Sequence, residues 1–262
     1  MGLFRADDSR PGPGVSKQEK PKKGLARWWE ILARDYPALL LANLCFLVCC
    51  VPAAACAAAS VRLDRLWLLA PAAALAALAG PAWAGVNRLC MQAVRDVPFF
   101  AWHAFCKAYR ENAPQGAAGG VLTGVWAALL AYAASASFGR HGFALPVLLC
   151  IALALYIAGG ATMFLFMQMP MVALPFGGLV RNSVLLIFAG GWRSVAAILL
   201  PLVCTGLCVW YYSFALPFLL LGGPAVLCMT SCLVFLPKFR AFFLKEEDAA
   251  ARQPDAAPPK EE

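Results

Sequence analysis

The chain has 262 residues, of which 62% are hydrophobic and only 14% charged, where a soluble domain carries about 25% charged residues. Mean hydropathy is +0.70, and no Asp or Glu occurs between Glu111 and Glu246, a balance that excludes an ordinary water-soluble domain. The net charge of +8 does not point to nucleic acid, because most of the excess flanks apolar runs, where membrane topology and anionic lipid account for it.

Residues 1–35 contain "DDSRPGPGVSKQEKPKK" and read as a disordered basic tail, too polar for a cleavable signal peptide. Ala6 stands where a myristoylation motif needs Ser or Thr. Apolar runs of about 20 residues match a hydrocarbon core roughly 30 Å thick, and the first is 36–60, with Pro52 inside it. A turn carrying Arg62, Asp64 and Arg65 leads to a second span at 66–88. Spans three and four fall at 114–138 and 143–168, after which "MPMVALPFGG" breaks the helix with Pro170, Pro175, Gly177 and Gly178.

From Val195 to Pro237 run 43 residues without a charge, about 65 Å of helix and therefore two spans. Their turn is expected at "WYYSFALP", with Trp210, Tyr211 and Tyr212 at the interface and Pro217 opening the return helix. The spans become 194–212 and 216–238; a turn at Gly222–Pro224 would leave the last helix too short. Residues 241–262 read as a second disordered tail, leaving 36–240 as the transmembrane domain. The fold class is therefore all-α: a polytopic membrane helix bundle of about six transmembrane helices, with one or two cytoplasmic interfacial helices. With the N-terminus inside, nineteen Lys and Arg fall on cytoplasmic segments and three on outer turns. Both termini are expected in the cytoplasm.

Between spans two and three lies "RDVPFFAWHAFCKAYREN". With Pro98 as its first helical residue, Phe99, Trp102, Phe105, Cys106 and Tyr109 share one side at 100° per residue. His103, Lys107, Arg110 and Glu111 share the other, and Phe100 is the misfit. Such an arc predicts a surface helix on lipid, or a docking helix for a partner. Phe99, Trp102, Phe105, Tyr109, Lys107 and Arg110 are its candidate interface residues. His103 has no Ser or Cys in a recognisable motif beside it and makes a poor catalytic base.

Four stretches together resemble the YesL-like family of bacterial integral membrane proteins, a domain of unknown function. They are "NLCFLVCCVP", "GPAWAGVNRL", "RDVPFFAWHAFCKAYREN" and "LVRNSVLLIFAGGWRS". This chain departs from the family in the 28 positions separating Pro52 from Gly80, where the family keeps its Pro and Gly-Pro-Ala close together. The resemblance implies a bacterial cytoplasmic membrane and an association with carbohydrate uptake and utilisation. It supplies no catalytic residue.

Three cysteine pairs have i, i+4 spacing: Cys45 with Cys49, Cys204 with Cys208, and Cys228 with Cys232. Soft thiolates on one helix face suit copper(I), but a buried Cys is ordinarily a small apolar packing residue, and no metal or other cofactor is expected. Gly116, Gly120 and Gly124 form a small-xxx-small stripe on span three, suited to close helix packing within the bundle or in a homo-oligomer. No acidic residue lies within the predicted spans, where ion-coupled transporters keep one. Gln168, Thr123, Thr162 and Thr205 are the polar groups in or near them, read as interhelical hydrogen-bonders. No Ser/His, paired-Asp or metal arrangement suggests an enzyme. Two functions remain: a non-catalytic accessory or scaffold component of a membrane transport complex linked to carbohydrate uptake, and a transporter or channel for an uncharged small solute.

Overall fold

A computed structural model describes residues 24–141 and 145–243, and every element in them is helical. The expectations for residues 1–23, 142–144 and 244–262 lie outside the described residues. Four helices are long and apolar enough to cross a membrane, and six crossings result if each of two bent pairs counts as one.

Helix α1, Leu25–Arg62, is continuous through Pro37 and Pro52. Its 38 residues extend about 57 Å, nearly twice the hydrocarbon thickness. The first turns carry Arg27, Glu30, Arg34 and Asp35 and belong to the same helix. This corrects the sequence expectation of a disordered tail through residue 35. A 3-10 turn at Leu66–Leu68 leads into α2, Leu69–Leu75, and then α3, Ala79–Val94, bent by 52° against the preceding segment. The span expected at 66–88 is therefore two helices. Twelve of the sixteen residues of α3 are buried, which makes it the central helix.

Helix α4, Ala101–Glu111, is followed by α5, Ala113–His141, and α6, Leu145–Gln168. Helix α7, Phe176–Ala189, turns into α8, Trp192–Trp210, through 105°. Gly191 at the corner has a φ of 59°, a left-handed conformation that glycine adopts without a Cβ penalty. Across the corner the Ser194 hydroxyl donates to the Leu186 carbonyl at 2.6 Å. Helix α9, Tyr212–Leu220, and helix α10, Gly223–Phe243, complete the described chain. It breaks at Tyr211 and again at Gly222, whose φ is 90°. The expectation of one turn near Tyr211 is thus incomplete. The last helix does begin at Gly223, and it is long enough because it passes through Pro237 for 21 residues.

The core gathers Ile31 and Leu39 of α1, Leu89 and Met91 of α3, Phe164 of α6, and Met229, Phe235 and Phe239 of α10. Away from it, Val48, Val51, Leu129, Leu149, Leu153, Leu199 and Val203 are exposed. In water such a surface would drive aggregation; in a bilayer it faces lipid tails of equal polarity.

Candidate functional site

A cavity of about 460 Å³ lies where the helices are broken. It is bounded by Trp83 and Asn87 of α3, Met163 and Met167 of α6, Pro201, Thr205 and Cys208 of α8, and segments of α9 and α10. Its volume is in the range of small-molecule pockets. No charged side chain among the described residues lines it.

The cavity exists because α8, α9 and α10 do not form two straight spans. Interrupting a helix within a membrane frees carbonyls that have no water to bond, and α1 supplies donors for them. The Tyr36 hydroxyl donates to the Leu221 carbonyl at 2.9 Å, and Asn43 Nδ2 donates to the Leu219 carbonyl at 2.7 Å. Asn43 is fully buried, and its Oδ1 has no hydrogen-bond partner among the described residues. Discontinuous helices beside a cavity are how many transporters build a solute site.

The polar groups on the wall are mostly engaged. Asn87 Nδ2 donates to the Trp83 carbonyl at 2.8 Å, and Cys228 Sγ donates to Asn87 Oδ1 at 3.3 Å. The Ser231 hydroxyl donates to the Ala197 carbonyl at 2.9 Å. Away from the wall, Thr123, Thr162 and Thr230 each donate to the carbonyl four residues earlier. Thr205 makes no such bond and no other with the described residues. Its i−4 residue is Pro201, which also borders the cavity.

The α4 segment differs from its sequence-based description. Pro98 lies outside the helix, which starts at Ala101 with Phe100 as its cap. The face docked into the bundle is Ala104, Phe105 and Ala108, which is rotated from the aromatic arc. Phe105 is buried, and a Cβ on Gly85 would fall 2.8 Å from its ring. Phe105 is therefore a packing residue and not a surface anchor. Phe99 and Tyr109 are partly buried against the core. Trp102 is 61% exposed and Phe100, the misfit of the helical arc, is 86% exposed. His103, Lys107 and Arg110 point outward, with Lys107 Nζ 3.8 Å from Glu111, which also pairs with Arg88 at 2.9 Å.

Ion pairs join the N-terminal turns of α1 to the α3–α4 turn. Arg27 pairs with Asp96, and Arg34 pairs with it at 2.6 Å. Arg34 also donates to the Ala93 carbonyl at 2.9 Å. Burial pushes the Asp96 carboxyl up, but the Arg34 hydrogen bond and the Arg27 charge outweigh it, so the group lies below the usual carboxylate range. In the sequence these arginines read only as topological charge.

Gly116, Gly120 and Gly124 pack on α2 and α3. A Cβ on Gly116 would lie 2.7 Å from Pro81 Cα, one on Gly120 would strike the Ala76 carbonyl, and one on Gly124 would lie 2.8 Å from Ala73 Cα. Gln168 is buried, donating to the Leu179 carbonyl at 3.0 Å and Ser183 Oγ at 2.7 Å, which ties α6 to α7. Cys228 and Cys232 are buried, and Cys90 Sγ nearby donates to the Ala225 carbonyl at 3.5 Å. Cys45 and Cys49 pack partly buried against the core. Among the described residues, no group of three or more His, Cys, Asp or Glu side chains is arranged to hold a metal ion. No family model, no curated protein and no solved structure matches this chain.

Proposed function

We propose that this is a non-catalytic membrane protein that holds an uncharged molecule between α3, α6, α8, α9 and α10, as a carrier or channel does. The observation supporting this reading is the uncharged cavity beside the α8–α9–α10 breaks, with their freed carbonyls capped by Tyr36 and Asn43. An ion at that depth would need a buried counter-charge, and the wall has none among the described residues. The test is thermal unfolding of the protein in nanodiscs against a panel of neutral and charged compounds. A neutral ligand at about 100 times its Kd stabilises the fold by about 2.7 kcal/mol, and Ala215→Trp, which fills the cavity, removes the shift. Stabilisation by charged compounds alone would overturn the reading.

A second reading, an accessory component docking onto a membrane transport complex, is favoured by exposed Phe100 and Trp102 beside His103, Lys107 and Arg110. The YesL-like resemblance would make that partner a carbohydrate transporter in a bacterial cytoplasmic membrane. Its test is purification from native membranes. A stoichiometric partner lost on replacing Phe100 and Trp102 by Ser supports it, and a chain that purifies alone rejects it. Phe105 is unsuitable for this experiment, since a charge there would disrupt the core.

A further inference from the structure

We infer that the cavity takes a neutral single-chain amphiphile, an apolar chain ending in one hydrogen-bonding group, and not a sugar or other polyol. This rests on the cavity reading above and names its ligand class. The wall decides between the two. Asn87 and Ser231 each donate one hydrogen to the Trp83 and Ala197 carbonyls, the Asn87 oxygen accepts from Cys228, and both side chains are buried within the wall. Thr205 supplies the one uncommitted hydroxyl among the lining residues. A sugar brings several hydroxyls, and each one buried without a partner costs about 1–3 kcal/mol. One hydroxyl on the ligand matches one on the wall.

The rest of the lining suits a chain. Trp83, Met163, Met167, Phe218 and Leu227 present apolar surface, and thioether side chains adapt to a flexible guest. The volume of about 460 Å³ lies within the roughly 300–1,000 Å³ of small-molecule sites, room for one flexible chain. Entry is from the side. Thr205 is exposed and Leu219 is 38% exposed, so the α8–α9 wall opens where the spans meet lipid. A molecule already dissolved in the bilayer reaches Thr205 without crossing water.

The experiment uses a photoactivatable hexadecanol on the full chain in nanodiscs, with adducts mapped by peptide mass spectrometry. Adducts are expected within residues 201–231, competed by hexadecanol and not by glucose. Thr205→Val should weaken alcohol competition about threefold to tenfold, the range of one hydrogen bond, while leaving labelling by an alkane probe unchanged. Ala215→Trp should abolish labelling by both. Competition on the wild-type chain is decisive by itself, so the inference stays testable even if Ala215→Trp misfolds. Adducts spread over lipid-facing positions such as Leu148 and Leu153 would mean partition into lipid and overturn the inference. A photoactivatable glucoside labelling the same peptides would overturn the ligand class but leave a solute site in place. No specific labelling by either probe would overturn both.

Discussion

Asp96 carries two constraints that act separately. Its φ is 59°, a left-handed conformation that Asn and Asp tolerate better than most residues, and its carboxylate accepts from Arg27 and Arg34. Asp96→Asn keeps the turn and removes the charge, whereas Asp96→Ala also adds backbone strain. The Asp96 side chain is 49% exposed, so solvent screening holds each pair to about 0–1 kcal/mol. Asp96→Asn should therefore cost under about 2 kcal/mol and Asp96→Ala measurably more, read from unfolding in mild detergent. Because the folded carboxyl lies below its ordinary range, its contribution is complete above about pH 4, the unfolded value. It is lost as pH falls through the lower folded value. The wild type should show this extra acid sensitivity and Asp96→Asn should not; equal acid profiles would remove the ion pairs from the account.

Between elements, the close approach of α5 to α2 and α3 is made from both sides. Gly116, Gly120 and Gly124 face Ala73, Ala76, Gly80 and Pro81, small residues that let backbones meet. A Cβ on Gly120 strikes backbone, while the nearest atoms to one on Gly85 belong to the Phe105 ring, at 2.8 Å. Gly120→Ala should thus cost about 1–3 kcal/mol by overpacking and Gly85→Ala less, since a ring edge can turn aside. The reverse order would mean that α5 does not sit against α2. Half of this contact is legible in the sequence, because the glycine stripe has helical spacing; its partner is hidden in an alanine-rich run where every face looks alike. The same blindness affects α4. Its aromatics dominate the helical wheel, but alanines at 104 and 108 decide which face docks. The break at Gly222 is masked in the sequence by Pro237, which looks like a helix end but is tolerated inside α10. The cavity is not legible at all, since it arises where α3 and α6, distant in the chain, meet the broken segment α8–α10.

At the scale of the whole chain, the apolar character that marks a membrane protein leaves the number of crossings between four and six. Composition cannot decide it, because the two uncertain crossings are bent pairs: residues 66–94 at 52° and residues 176–208 at 105°. The charge asymmetry favours crossing by residues 66–94, since Arg65 falls on a segment poor in cations and Arg95, Lys107 and Arg110 on one rich in them. Each pair can be settled alone by adding one cysteine on either side of it and labelling intact cells with an impermeant maleimide, over the wild-type background. For residues 66–94, Arg65→Cys should label from outside and Lys107→Cys only after permeabilisation. For residues 176–208, Gly177→Cys, where a Cβ has open space around it, should need permeabilisation, and Tyr211→Cys should not. If the first two cysteines label from the same side, α2–α3 is a re-entrant hairpin and α5 must run in the opposite direction. If the second two do, α7–α8 does not cross, and α9 approaches Tyr36 and Asn43 from the cytoplasmic side. The cavity would then open to that compartment, and the carrier reading would give way to a one-sided binding site.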